Sequence, residues 1–244
     1  MPVRLGVWSG PRNISTALMR AWENRPDTWV VDEPLYSHYL TQVQVAHPGV
    51  DEVVAHHDSD WKRVVQGLTV DPIPQGKSIY YQKHMAHHWL PHLRGEWIFS
   101  LVNVFLIRHP AEMLPSLSNK MGLPVLRDTG LPQQLEIYEM IRTVTGQTPL
   151  VLDSTDILRD PAGALTRLCE FAGVEFDDRM LHWPAGRRET DGIWAKYWYD
   201  AVEKSTGFEP YRPRERKVSP ELQPLLDACL PIYEALSSGR SATV

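Results

Sequence analysis

Short apolar runs alternate with longer amphipathic stretches along most of the chain. Runs rich in β-branched and aromatic residues predict five strands, at residues 3–8, 29–32, 78–81, 102–107 and 150–152. Helical periodicity predicts helices at residues 14–24, 35–45, 52–66, 111–119, 133–144 and 162–172. Strands and helices that alternate in this way pair in parallel through right-handed crossovers. We therefore predict an α/β fold of three layers, with a central parallel sheet of about five strands flanked by helices.

The pattern changes near residue 177. Strand-like runs stop there, and residues such as Pro184, Gly192 and Pro210 interrupt the chain before a last predicted helix at 221–236. We predict a single domain over residues 1–244, with a core at residues 1–176 and a helical lid or wrapping segment at residues 177–244. The chain has no internal repeat or low-complexity tract that would favour another architecture.

Composition narrows the possible partners. With 244 residues, 43% of them hydrophobic, the chain can bury one sizeable core. Its formal net charge of −5 argues against nucleic acid or an anionic membrane as a partner. The two cysteines, Cys169 and Cys229, form neither a disulfide framework nor a metal-ligand pattern, and no secretion signal or bilayer-spanning run is visible. We expect a soluble, cytoplasmic protein; its oligomeric state is left open.

The first candidate site is the turn between the first strand and the first helix. It comprises Gly10, Pro11, Arg12, Asn13, Ile14, Ser15 and Thr16. A turn with one cation and two hydroxyls at a helix N-terminus can bind a phosphate through backbone N–H groups and the helix dipole. It lacks the G-x-x-x-x-G-K-[ST] pattern, so no lysine for a terminal phosphate and no hydroxyl for Mg²⁺ are identified. A plain strand-to-helix turn capped by Asn13 or Ser15 is the alternative.

The second candidate site follows the fourth predicted strand. Arg108 stands at the C-terminal tip of that strand, and Ser116 lies two turns into the next helix. Parallel sheets bind ligands beyond the C-terminal ends of their strands, and the fork of an arginine can hold two anionic oxygens. An ordinary turn with a surface arginine is the alternative.

Together these segments resemble the sulfotransferase superfamily. Residues 11–16 resemble its 5′-phosphosulfate loop, P-[KR]-S-G-T-T, and Arg108 with Ser116 matches the R-x₇-S pair that the family uses on the 3′-phosphate. Residues 156–174 look like its E-D-L…D-P…L-x-x-x-C-x-F-x-G-[LV] segment. The resemblance implies a P-loop-like fold, 3′-phosphoadenosine 5′-phosphosulfate as co-substrate, no metal, and transfer to a hydroxyl or amine of a small-molecule acceptor.

The chain departs from the family pattern at several positions. Asn13 and Ile14 replace the usual Ser-Gly, Ala17 stands where a tryptophan often stacks on adenine, and Ser154 replaces a tyrosine. The basic pair Arg187 and Arg188 looks like a rearranged form of the late R-K-G…G-D-W motif, which closes over the 3′-phosphate. A solvated basic turn is the alternative for that pair.

Sulfuryl transfer needs a base for the acceptor proton and a cation near the leaving phosphate. Arg12 is the expected cation. His84 follows Lys83 in a segment that resembles the family's strand ending in K-T-H, although Lys83 is shifted by one place. Glu33 instead resembles the carboxylate of E-P-[FL], the proposed base of bacterial and carbohydrate members. We favour His84, because an imidazole titrates near neutrality whereas the pKa of a carboxylate would have to be raised.

Two further clusters have structural alternatives. His56, His57, His87 and His88 could suggest zinc, but they lack an H-E-x-x-H motif or a cysteine pair, and we expect no metal. Aromatic residues of the late segment either line an acceptor pocket or belong to the core: Trp183, Trp194, Tyr197, Trp198 and Tyr199.

A sulfotransferase is therefore the favoured function. A P-loop-type kinase or nucleotide hydrolase would use the same kind of sheet, but its Gly-Lys-Ser/Thr motif is missing. A degenerate sulfotransferase fold that only binds a nucleotide or a partner is the third possibility. The acceptor pocket is expected from residues 35–76, 120–135 and 177–215, and its ligand is not readable from the sequence.

Overall fold

A five-stranded, fully parallel sheet forms the centre of the protein, whose computed structural model describes residues 2–43, 47–213 and 216–239. The strands are β1 (Val3–Ser9), β2 (Thr28–Asp32), β3 (Ile79–Met85), β4 (Val102–Ile107) and β5 (Leu150–Asp153). Their order across the sheet is β2-β3-β1-β4-β5. The predicted fold class and parallel sheet are confirmed, and β3 continues four residues beyond its predicted end at Tyr81.

Helices surround the sheet. They are α1 (Ser15–Glu23), α2 (Tyr36–Gln42), α3 (Val50–His56), α4 (Trp61–Thr69), α5 (Pro110–Met121), α6 (Leu131–Thr145), α7 (Ser154–Arg159), α8 (Pro161–Ala172), α9 (Ala195–Trp198) and α10 (Gln223–Ser238). The short helices α7 and α9 were not predicted. Among the described residues, no helix combines the length and apolar character needed to cross a bilayer.

The alternation of side chains along β1 explains the three layers. Leu5 and Val7 are fully buried on one face of the sheet, against residues of α1 and α8. Trp8 points to the other face, where residues of α6 and α10 complete a second core. Because both faces are covered by helices, the strands carry the nearly continuous apolar runs from which they were predicted.

The single helix predicted at residues 52–66 is wrong. The chain forms α3 and α4 instead, and the Asp60 side chain accepts a hydrogen bond from the backbone N–H of Lys62 at 3.0 Å. An aspartate at this position satisfies a backbone donor that the new helix leaves open, so it starts a helix more readily than it continues one. The end of the helix predicted at 35–45 is partly outside the described residues, and α2 ends at Gln42.

The connections after β1 and β4 leave the sheet toward opposite faces. Helix α1, after β1, belongs to one core, whereas α5, after β4, packs against α10 on the other face. A crevice opens where neighbouring strands diverge in this way, beyond their C-terminal ends. Both candidate segments found in the sequence follow these two strands.

Candidate active site

The loop after β1 is held tightly against the neighbouring chain. A Cβ on Gly10 would stand 2.2 Å from the backbone oxygen of Thr129, so no other residue fits there without displacement. The buried Asn13 side chain donates to the backbone oxygen of Leu106 at 3.3 Å, which ties the loop to the end of β4.

The same loop has a strained backbone. Arg12 and Ile14 both have a φ of 62°, in the left-handed region that β-branched residues in particular avoid. Such strain costs of the order of 1–3 kcal/mol per residue and persists mainly at functional sites. Ser15 and Thr16 follow the loop as the first two residues of α1. Residues 11–16 all line one large cavity.

Two arginines and a serine meet at this cavity. The Arg12 side chain donates from Nε to Ser116 Oγ at 2.9 Å, and Arg108 donates from Nη1 to the backbone oxygen of Arg12 at 2.9 Å. Burial, and then the positive charge of Arg108, lower the pKa of the Arg12 guanidinium. Arg108 also lies 3.6 Å from the carboxylate of Glu112, whereas Arg12 forms no ion pair with a carboxylate of the described residues. The guanidinium of Arg12 is therefore the cation at this place that favours the binding of an anion.

Lys83 lies at the C-terminal end of β3 and is almost completely buried. Its ammonium donates to Asp32 Oδ1 at 2.7 Å, Glu33 Oε1 at 2.6 Å and Tyr199 Oη at 2.8 Å. Burial alone would lower the pKa of Lys83, but the two carboxylates raise it well above its usual value. The lysine is therefore charged, and it joins β2 to the late segment that carries Tyr199.

Glu33 follows β2 in a left-handed conformation, with a φ of 42°. Its carboxylate lines the cavity, and its side chain keeps 12% of its surface exposed. Burial raises the pKa of Glu33 to about 7, with Lys83 opposing the rise and Asp32 adding to it. This environment supplies the raised pKa that a carboxylate needs to act as a base near neutrality.

His84, the base favoured from the sequence, lies away from the cavity. Its ring stacks on Trp8, with centroids 4.3 Å apart, and is absent from the cavity wall. Burial lowers its pKa to about 3, so the imidazole is a weak base at neutral pH. Neighbouring residues of a strand point to opposite faces of the sheet. Because Lys83 points to the cavity, His84 lies on the other face, where it stacks on Trp8.

Arg187 and Arg188 also lie elsewhere. Arg188 lines a separate cavity at the outer edge of β2, where its Nη2 donates to the backbone oxygen of Pro184 at 2.5 Å. Arg187 is exposed and lies 3.7 Å from Glu203. Neither residue lines the cavity that contains Arg108 and Ser116, the residues expected at the 3′-phosphate. The cavity wall instead includes Arg212, from the same late segment.

The cavity has a volume of about 850 Å³ and a wall that the sequence analysis only partly anticipated. Tyr36 and Tyr39 on α2 line it together with His47, His87 and His88. Burial lowers the pKa of all three imidazoles, that of His87 to about 3. Within the described part of the chain, no group of three His, Cys, Asp or Glu side chains is arranged to hold a metal ion.

The late aromatic residues divide between the two alternatives. Trp198 and Tyr199 line the cavity. Trp183 and Trp194 are buried in the two cores, and Tyr197 covers Gly49. Of the positions that depart from the family pattern, Ala17 lies on the cavity wall whereas Ser154 is buried.

Two curated proteins of Arabidopsis thaliana match this chain. Branched-chain-amino-acid aminotransferase-like protein 2 is 34% identical over 231 residues, which cover 94% of this chain and 40% of that protein. Branched-chain-amino-acid aminotransferase-like protein 1 is 35% identical over 237 residues, 97% of this chain and 42% of that protein. The chain thus spans about two fifths of these curated relatives, whose names describe the longer proteins.

Solved structures share the fold. The sulfotransferase domain from the curacin biosynthetic pathway is 16% identical, with a TM-score of 0.56 over 97% of this chain and 98% of that one. A sulfotransferase from Alicyclobacillus acidocaldarius is 12% identical, with a TM-score of 0.55 over 100% and 98% of the two chains. A family model described as a sulfotransferase domain matches residues 3–240. With this match over nearly its whole length, the chain belongs to the sulfotransferase-domain family.

Proposed function

We propose that this protein transfers a sulfuryl group from 3′-phosphoadenosine 5′-phosphosulfate to a hydroxyl or amine of a small-molecule acceptor. The observation that carries the proposal is the half-buried Arg12 guanidinium, which has Arg108 and a serine hydroxyl as neighbours but forms no ion pair with a described carboxylate. An anionic group of the donor would neutralise this guanidinium.

The donor has two anionic ends, and the cavity offers two places for them. The loop at residues 11–16 and the first turn of α1 would hold the 5′-phosphosulfate through backbone N–H groups and Arg12. Arg108 and Ser116 would hold the 3′-phosphate, with the planar guanidinium binding two oxygens. Charge that develops on the leaving 5′-phosphate then falls beside Arg12.

Glu33 is the proposed base. It accepts the proton of the acceptor hydroxyl while the acceptor oxygen forms a bond to sulfur. The bond between sulfur and the bridging phosphate oxygen breaks, and that oxygen keeps the electron pair. The products are a sulfate ester and adenosine 3′,5′-bisphosphate. Lys83 is a positioning residue in this scheme, because its contacts with Asp32 and Tyr199 fix the carboxylate that it binds.

Transfer of radioactive sulfate from the labelled donor to a mixture of phenols and primary alcohols tests the proposal. We expect labelled esters and an equal amount of adenosine 3′,5′-bisphosphate without added metal. Glu33→Gln should reduce the transfer while the protein still binds the bisphosphate. Failure to transfer sulfate, together with Mg²⁺-dependent turnover of ATP, would instead support the kinase alternative.

A further inference from the structure

Five large apolar side chains stand out as exposed among the described residues, and three of them lie at the end of α5 and in the loop after it. Met121, Leu123 and Val125 are 38%, 64% and 62% exposed. Met121 is the last residue of α5, and Leu123 and Val125 lie in the loop that follows. The other two, Val70 and Val144, lie apart, at the end of α4 and in α6. Single exposed apolar residues are common on protein surfaces, but a cluster of them marks a contact site.

Both ends of this loop, residues 121–128, belong to the active-site cavity. Met121 and Asp128 line the cavity wall. The backbone N–H of Val125 donates to Asp128 Oδ2 at 2.9 Å, which ties the exposed valine to a residue of the wall. The segment that carries Leu123 and Val125 therefore begins and ends at the wall of the cavity that contains Glu33, and we call it the apolar rim.

The cavity wall also carries aromatic side chains. Tyr36, Tyr39 and Trp198 line it, and the ring of His88 stacks on both tyrosines with centroids 4.7 and 4.8 Å away. The ammonium of Lys120, also on the wall, lies 3.7 Å from Asp200. An apolar group in the cavity therefore has aromatic rings on the wall and the apolar rim to pack against.

We propose that the acceptor is an amphipathic alcohol, whose hydroxyl lies at Glu33 and whose apolar chain leaves the cavity over Met121, Leu123 and Val125. This inference rests on the proposed function. The alcohol gives its proton to Glu33, its oxygen bonds to sulfur, and the sulfur–oxygen bond to the phosphate breaks. The products are an alkyl sulfate and adenosine 3′,5′-bisphosphate.

A series of linear primary alcohols from ethanol to dodecanol tests the proposal. Each methylene that becomes buried should raise kcat/KM by up to about fourfold. The double variant Leu123→Ser/Val125→Ser should lose the increase for the longer alcohols and retain the wild-type kcat/KM for the short ones. The matched control, Val70→Ser/Val144→Ser, removes two exposed valines that are absent from this rim and should behave like the wild type.

Titration with adenosine 3′,5′-bisphosphate separates the two proposals. If the bisphosphate does not bind and no alcohol is sulfated, the proposed function fails. If the bisphosphate binds but kcat/KM is independent of chain length, or no alcohol is sulfated, only the amphipathic acceptor is overturned. The acceptor proposal is also overturned if the rim variant changes the oligomeric state but leaves the chain-length dependence intact, because a second copy would then cover the loop.

Discussion

The basicity of Glu33 follows from the position of its carboxylate. Burial raises its pKa to about 7, even though the charged Lys83 lies 2.6 Å away. A base with this pKa is about half ionised at neutral pH and accepts a proton readily. The nearby imidazole of His87, with a pKa of about 3, lacks this balance.

We therefore expect sulfate transfer to depend on pH through Glu33. As the carboxylate must be ionised to accept the proton, kcat/KM should fall about tenfold per pH unit below 7 and level off above 7. Glu33→Gln should lower kcat by about 10²–10⁴-fold, and the fall in kcat/KM below pH 7 should disappear. An unchanged profile in the variant would show that another group is the base.

His84 provides the matched comparison. His84→Ala removes a buried ring that stacks on Trp8 and should lower the free energy of unfolding by about 2–4 kcal/mol. The kcat per folded molecule should be that of the wild type. Chemical unfolding and initial rates on the same preparation measure both quantities. A hundredfold loss of kcat with unchanged stability would restore His84 as the candidate base.

Residue type and motif resemblance identified both His84 and Glu33 as candidate bases, but they did not show which of the two faces the acceptor. The decision depends on which face of β3 reaches the cavity, and a shift of one residue exchanges Lys83 and His84. It also depends on how deeply Glu33 is buried, which a local motif does not contain. The proposal of Glu33 as the base therefore rests on tertiary structure.

At the level of elements, the loop after β1 depends on close contact with the chain at Thr129. Gly10→Ala would place a Cβ 2.2 Å from a backbone oxygen, so the loop or its neighbour must shift. We expect the free energy of unfolding to fall by about 1–3 kcal/mol and the affinity for adenosine 3′,5′-bisphosphate to fall with it. Chemical unfolding and calorimetric titration measure the two effects.

Gly67→Ala is the control for this prediction. Gly67 lies inside α4, and the nearest atom to an added Cβ is Asp71 Oδ2 at 4.0 Å. Alanine in a helix interior should leave stability unchanged or raise it by about 0.5–1 kcal/mol. If Gly10→Ala were equally well tolerated, the tight contact at Thr129 would not hold the loop.

The strands were predicted more accurately than the helices. Buried parallel strands leave compact apolar runs bounded by turns, as in β1 and β4. The region at residues 52–66 retains helical periodicity on both sides of Asp60, so periodicity alone does not reveal the break between α3 and α4. Asp60, the N-cap residue of α4, is the feature of the sequence that indicates this break.

Across the whole molecule, the cavity combines segments that are far apart in sequence. Arg12 follows β1, Glu33 follows β2, Lys83 lies near the end of β3 and Arg108 follows β4, so the order of parallel strands explains why these residues meet. The segment expected to form the acceptor pocket, residues 35–76, contains Tyr36 and Tyr39, but the sequence did not single them out because they have the pattern of an ordinary core. His87 and His88 were considered only as possible metal ligands. The division into a core at 1–176 and a later lid stays a prediction.

The most direct test of the donor site is calorimetric titration with adenosine 3′,5′-bisphosphate and with adenosine 5′-phosphate, without metal, for the wild type and Arg108→Ala. We predict that the wild type prefers the bisphosphate. Arg108→Ala should weaken bisphosphate binding by about 1.5–3 kcal/mol and leave adenosine 5′-phosphate binding almost unchanged. Equal affinity of the wild type for both nucleotides, or an equal loss for both in the variant, would contradict the account.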